Sequence, residues 1–175
     1  MTLTDLASLG SFISGVAVVV SFVFLSLQIR QTNKNQRALM QQGRSARNLE
    51  TVLRQAEPHM IENVVRGRAG DLSMDTLQIE AFLRASLAMF MNWEDSFLQH
   101  QAGTIDPSGI PSEIEGMRVL LAYPGYRVAW KMLRYQFDGG YQKQIDDIVR
   151  TTTLVQPRNA ADAWRSLLSE EGAAI

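Results

Sequence analysis

The most pronounced pattern in the chain is an uncharged, strongly apolar run near the N-terminus, residues 6–29, which we call the apolar segment. As a helix rising about 1.5 Å per residue, it extends about 36 Å, enough to cross a hydrocarbon core of about 30 Å. Its stretches VAVVV and SFVFL are β-branched and aromatic, which is unusual in a short soluble helix. The pattern predicts a single membrane-spanning helix, with a buried helix of a soluble domain as the alternative.

A secretory signal peptide is another interpretation of this run, and two features argue against it. The residues before the run carry one charged side chain, Asp5, which is acidic rather than basic. No Ala-x-Ala cleavage site follows the run. We therefore expect an uncleaved anchor.

Downstream of the apolar segment, apolar positions recur at helical spacing, and strand-like alternation is missing over any useful length. This predicts an all-α fold in which a single N-terminal transmembrane helix continues into a cytoplasmic multi-helix bundle. We expect a transmembrane anchor over 1–30, a basic juxtamembrane helix over 31–57 and a helical cytoplasmic domain over 58–175. The first two are expected to form one long helix, because no proline lies between Leu3 and Glu57.

Apolar spacing predicts six helices in the domain, over about 58–66, 74–101, 112–122, 125–137, 141–151 and 159–169. The second of these is apolar most of the way round, which is typical of a central helix. Ser73 is its predicted N-cap, Asn159 is the predicted N-cap of the last helix, and Gly67 and Gly70 are expected to end the first. The three tryptophans lie in apolar patterns and are expected in the core: Trp93, Trp130 and Trp164.

Small and polar residues follow a 3-then-4 spacing along the apolar segment, which places them on one face of a helix. We call this face the stripe, and its members are Ala7, Gly10, Ser14, Ala17, Ser21 and Gln28. Phe24 is its bulky exception, and the spacing continues at Gln31, Asn35, Ala38, Gln42 and Ser45. Small residues let helices approach closely in lipid, so the stripe predicts a helix–helix interface. Chance alignment is the alternative, since serine and glycine are frequent in spans.

Basic residues follow the apolar segment and form what we call the collar: Arg30, Lys34, Arg37, Arg44 and Arg47. From 30 to 54 there are six basic residues and one acidic residue, whereas from 55 to 175 there are eleven basic and sixteen acidic residues. Because Lys and Arg stay on the cytoplasmic side, we expect the N-terminus outside and the domain inside. The collar is expected to contact lipid headgroups. The acidic domain argues against nucleic acid as a partner.

Catalytic signatures are missing from the sequence. There are no cysteines, and the two histidines, His59 and His100, are isolated from each other and from acidic clusters. No zinc-protease, hydrolase-elbow or phosphate-loop motif occurs. We therefore expect no enzyme activity, no catalytic residue, no metal and no cofactor.

These features favour a membrane-anchored structural or accessory protein that self-associates, or docks onto a larger membrane complex, through its transmembrane helix. A homo-oligomeric channel or pore is the alternative, with Ser14, Ser21, Gln28 and Gln31 lining a water path. An enzyme whose site is assembled from distant residues of the domain is a third hypothesis.

The stretches SLGSFISGVAVVVSFVFLSLQIRQTNKNQRA, WEDSFLQHQAGTID and PGYRVAWKMLRYQF carry a family resemblance. The chain resembles a group of bacterial single-pass membrane proteins with a small helical domain and no assigned activity. The resemblance implies an anchor in the bacterial inner membrane and a helical body, and it transfers no catalytic residue.

Overall fold

The computed structural model describes residues 3–105, 107–155 and 160–172, and in these ranges the fold is all-helical. The seven α-helices are α1 Leu3–Gln55, α2 Pro58–Ala69, α3 Thr76–Gln101, α4 Ile110–Leu121, α5 Pro124–Leu133, α6 Gly139–Thr151 and α7 Ala160–Glu170. Two short 3₁₀ helices, Pro107–Gly109 and Arg134–Gln136, complete the description. The predicted all-α fold is confirmed.

The chain divides into two compact units, residues 1–44 and residues 45–175. The first unit consists, in its described part, of the N-terminal portion of α1 alone. The second unit begins with the last turns of α1 and contains the remaining helices. The expected long N-terminal helix is therefore confirmed, because α1 runs without a break over 53 residues.

The core of the second unit is built around α3, which packs against both α2 and α5. Phe90 lies fully buried in α3, and its ring meets the ring of Trp130 edge-on at a centroid distance of 5.2 Å. Tyr141 from α6 donates its hydroxyl to the backbone oxygen of Phe90 at 3.0 Å, and burial raises the pKa of that hydroxyl. The prediction that α3 is the central helix is confirmed.

Two glycines let α2 and α5 approach each other more closely than any other residue would allow. A Cβ atom at Gly125 would lie 1.8 Å from the backbone oxygen of Gly67, and one at Gly67 would lie 2.2 Å from the Phe82 ring. Gly67 therefore sits inside α2, and the prediction that it ends the helix is wrong. Gly70, the other glycine predicted to end the helix, does end α2, in a left-handed conformation with φ of 74°.

The start of α3 also differs from the prediction. Asp75 is the N-cap, and it forms a reciprocal pair with Gln78: each side chain accepts from the other's backbone N–H, at 2.9 and 3.0 Å. Ser73 is not the cap, because its N–H and its hydroxyl both donate to Asp71. The N-cap predicted at Asn159 lies outside the described residues.

The helices predicted over 125–137 and 141–151 meet at Asp138, which caps α6 by accepting from the N–H groups of Gly140 and Tyr141 at 2.7 and 3.2 Å. Helix α5 ends earlier than predicted, at Leu133, and passes into the 3₁₀ turn before this cap.

The tryptophans have three different environments. Trp130 is 1% exposed, and Trp93 is half-buried with its ring 5.9 Å from that of Phe90. Trp164 on α7 is 66% exposed, so its predicted place in the core is wrong. The reason is that α7 buries none of its residues.

Candidate functional site

The apolar segment forms the greater part of the first unit, and those of its side chains that the structure describes are exposed. Thirteen large apolar side chains between Leu6 and Ile29 are 47–69% exposed. Within the described residues, one helix is long and apolar enough to cross a membrane, and its most apolar stretch has no buried residue. The core helix of a soluble domain can be equally long and apolar, but it is mostly buried. The exposure of this stretch therefore differs from that of a core helix.

The six stripe residues lie on one side of α1. At about 100° of rotation per residue, they fall within an arc of about 80°. All six are exposed: Ala7, Gly10, Ser14, Ala17, Ser21 and Gln28. A Cβ atom placed at Gly10 would meet nothing within 4 Å, so the helix surface there is open for another backbone to approach.

Within the stripe, the Ser21 hydroxyl donates to the backbone oxygen of Ala17 at 2.8 Å. A serine hydroxyl carries one donor, so the Ser21 oxygen remains available only as an acceptor. Around this pair the helix surface is hollowed, with Val18, Phe22 and Leu25 forming the walls. At Ala17 and Ser21 the stripe is therefore a shallow groove with larger apolar side chains on its edge, which suits close helix packing.

The collar residues do not share one environment. Arg30, Lys34 and Arg37 are exposed; Arg30 and Arg37 lie about half a turn around α1 from Gln28, and Lys34 lies about a third of a turn from it. Arg44 is half-buried, and Arg47 donates to the Asp95 carboxylate of α3 within the second unit. Three of the five predicted cations thus point away from the stripe, and Arg47 forms an ion pair inside the folded unit.

The last turns of α1 contact α3 through polar groups. Thr51 accepts a hydrogen bond from the Asn92 side chain at 3.1 Å, next to the Arg47–Asp95 pair. The other side of the same turns carries apolar residues that stay exposed: Leu49 at 59%, Val52 at 61% and Leu53 at 59%. The sequence interpretation of the stripe stopped at Ser45, yet the 3-then-4 spacing continues to positions 49 and 52 and was the signal that could have found them.

A pocket of about 510 Å³ lies between α3, α4 and α6 of the second unit. At its wall the buried Ser96 donates to the Glu113 carboxylate at 2.8 Å, which ties α3 to α4. His100 lies at the same pocket and is exposed. Among the described residues, no group of three or more His, Cys, Asp or Glu side chains is placed to hold a metal ion.

Comparisons of the chain with family models, with curated proteins and with solved structures find no match. The family resemblance carried by the sequence motifs stays a prediction. The open apolar surface of α1 is therefore the feature from which a function is inferred.

Proposed function

We propose that this protein is a single-pass membrane protein with a structural or accessory role, anchored by the apolar segment and self-associating through the stripe. The observation that carries this proposal is that, in the part of the chain that the structure describes, the most apolar stretch of the longest helix has no buried residue. No enzymatic step is part of the proposal.

The free energy of transfer supports lipid as the surroundings of the apolar segment. Each of its thirteen large apolar side chains, about half exposed, gains on the order of 1 kcal/mol on leaving water, which sums to on the order of 10 kcal/mol. The helix satisfies its own backbone hydrogen bonds, as a segment in hydrocarbon must. Water is therefore an unfavourable environment for this surface, and a bilayer is a favourable one.

The distribution of charge supports one orientation. The exposed cations Arg30, Lys34 and Arg37 follow the apolar segment directly, so the positive-inside rule places the N-terminus outside and the domain in the cytoplasm. The excess of acidic residues from 55 to 175 keeps the domain itself away from anionic headgroups. The family resemblance adds the bacterial inner membrane as the location.

The two sides of α1 support lateral association. The stripe presents small side chains, whereas the exposed Arg30 and Arg37 lie on the opposite side, where they reach headgroups without entering a helix–helix contact. The partner helices are those of other copies or of a larger membrane complex. The pore is less well supported, since the Ser21 hydroxyl is already bonded to Ala17 and Phe24 lies on the same face.

The stripe is tested by bulky substitution in the full-length protein. We expect Gly10→Leu together with Ser14→Leu to reduce the oligomer size, because leucine side chains keep the helix backbones apart. The measurement is light scattering after size exclusion in mild detergent, combined with energy transfer between labelled copies in bilayers. The matched control is Gly15→Leu with Ser26→Leu, the same two replacements at exposed positions about a third of a turn from the centre of the stripe.

Two results would contradict the proposal. An oligomer unchanged by the Gly10 and Ser14 substitutions removes the stripe as the interface while leaving the anchor in place. Recovery of the full-length protein in the aqueous fraction without detergent removes the anchor itself. The two claims are therefore tested separately.

A further inference from the structure

The last turns of α1 are amphipathic in the reverse of the usual sense. A helix packed on a soluble domain turns its apolar side inward and its polar side to water. Here Arg47 and Thr51 contact α3 through hydrogen bonds and an ion pair, while the apolar Leu49, Val52 and Leu53 face outward. The second unit thus leaves an apolar surface open that its own helices do not cover.

The sequence spacing connects this surface to the stripe. Counted in sevens from Ala7, the first positions of the repeat (a) are residues 7, 14, 21, 28, 35, 42 and 49. The fourth positions (d) are residues 10, 17, 24, 31, 38, 45 and 52. Leu49 and Val52 are therefore the next a and d positions after Gln42 and Ser45. A repeat of seven residues is the spacing of left-handed coiled coils.

The charges of the same region avoid this spacing. Between residues 30 and 54 there are six basic residues and one glutamate, and none falls at a, at d or at the adjoining position e. Lys34 lies at position g, and the other six lie at b, c or f, on the outer side of a coiled coil. A surface without charge matches another uncharged surface, and it does not attract the anionic headgroups that the cations bind.

We propose that the self-association continues out of the membrane as a parallel coiled coil between copies of this chain. Leu49, Val52 and Leu53 form the apolar layer that closes this coiled coil at its cytoplasmic end. The inference rests on the proposed function, because all copies inserted with one orientation bring their collars together in parallel. A second copy is the occupant, since it carries the same uncharged a and d positions in the same register. We call the a and d positions from 28 to 52 the seam.

The polar residues of the seam give it a defined register. Asn35 and Gln42 occupy a positions, where the side chains of identical residues meet in a parallel assembly. An amide placed against an amide forms a hydrogen bond, whereas a shifted register would place it against an apolar side chain. The polar middle of the seam thus selects alignment, and the apolar end at 49–53 supplies burial.

Single-cysteine cross-linking in native membranes tests this inference, because the chain has no cysteines of its own. The seam variants are Leu49→Cys and Val52→Cys, and the matched controls are Glu50→Cys and Arg54→Cys, whose native residues are exposed on the same turns. We expect disulfide-linked dimers to form about tenfold faster at the two seam positions, since a disulfide requires its Cα atoms within about 7 Å. Equal rates at all four positions indicate random collision and overturn the coiled coil.

Cysteines in the stripe separate this inference from the proposed function. Cross-linking of Gly10→Cys and Ser14→Cys without cross-linking at 49 and 52 leaves the membrane interface standing and overturns the cytoplasmic coiled coil. Cross-linking at 49 and 52 alone supports the coiled coil and overturns the stripe as the membrane interface. No cross-linking at any of the four positions overturns both.

Discussion

Two helices of this protein are apolar over most of their surface, the apolar segment of α1 and the central helix α3, and their surroundings are opposite. α3 buries Phe82, Leu83 and Phe90 against its neighbours, whereas the apolar segment buries no side chain in its most apolar stretch. Both have a length of about 24–26 residues. Total apolarity therefore does not distinguish a helix of a protein core from a helix suited to lipid.

The two helices also differ in charge, because α3 carries charged residues that contact neighbouring segments. Asp95 pairs with Arg47, and Glu94 accepts the backbone N–H of Asp138 at 2.6 Å, so its polar side chains have partners on adjoining segments. The apolar segment carries no charged residue and needs no such partners. A core helix is connected to its neighbours by specific polar contacts as well as by packing, and a lipid-facing helix is not.

The strongest test of this comparison makes the same substitution in both helices. We expect Phe90→Ala to lower the free energy of unfolding of the second unit by about 3–5 kcal/mol, because it removes a fully buried ring that touches Trp130. Phe22→Ala is expected to leave that free energy unchanged, since the Phe22 side chain is 65% exposed. Circular dichroism of full-length protein in detergent during denaturant titration measures both. An equal loss for the two variants would mean that the apolar segment belongs to the folded core.

Introducing an arginine into each helix is the second test, and here the larger effect is expected in the apolar segment. We expect Val19→Arg to impair membrane integration by about 2.5–3.5 kcal/mol, the cost of an arginine at the centre of a span. Leu77→Arg on α3 is the matched control, and its effect on stability and integration is expected to be within about 0.5 kcal/mol, because Leu77 is 80% exposed. Resistance to alkaline carbonate extraction measures integration. Full integration of the Val19 variant would contradict the placement of the apolar segment in lipid.

The smallest expected effect is on the pH dependence of stability. It comes from the ionic contacts of Asp71 before α3, and the apolar segment, having no charged residue, has no such contacts. Hydrogen bonds from Ser73 and then from Arg66 lower the pKa of Asp71 from 3.8 to about 2. The folded carboxyl thus binds its proton less readily than the unfolded one, so its stabilising contribution is present above pH 3.8 and is lost as the pH falls towards 2. We expect the difference in melting temperature between the native protein and Asp71→Asn to disappear over that interval. A difference that is constant with pH would exclude the carboxylate as its source.

Helices with long apolar patterns could be predicted from the sequence, and close three-dimensional contacts could not. The continuity of α1 and the central position of α3 followed from the missing prolines and from apolar residues on every side. Gly67 was misassigned because a glycine required for contact with Gly125 has the same sequence signature as one that ends a helix. Ser73 was misassigned because it and Asp75 are both good caps, and the reciprocal bond with Gln78 decides between them.

The candidate interface was partly visible in the sequence. The stripe could be predicted because the 3-then-4 spacing of small residues is a local pattern. The outward orientation of Leu49 and Val52 could not, because it depends on Arg47 and Thr51 bonding to α3, which lies some forty residues away along the chain. For the same reason the exposure of Trp164 was missed, since an apolar pattern gives no information on whether a neighbouring helix covers it.

The hydrogen bond from Ser21 to the backbone oxygen of Ala17 has a consequence for the order of events in biogenesis. A hydroxyl bonded within its own helix carries no unmet donor into hydrocarbon, so under the proposed function Ser21 needs no partner helix when a single copy is inserted. Assembly then becomes a later and reversible step, governed by how many copies share the same area of bilayer. Expression level, rather than synthesis of a preformed complex, would set the fraction assembled.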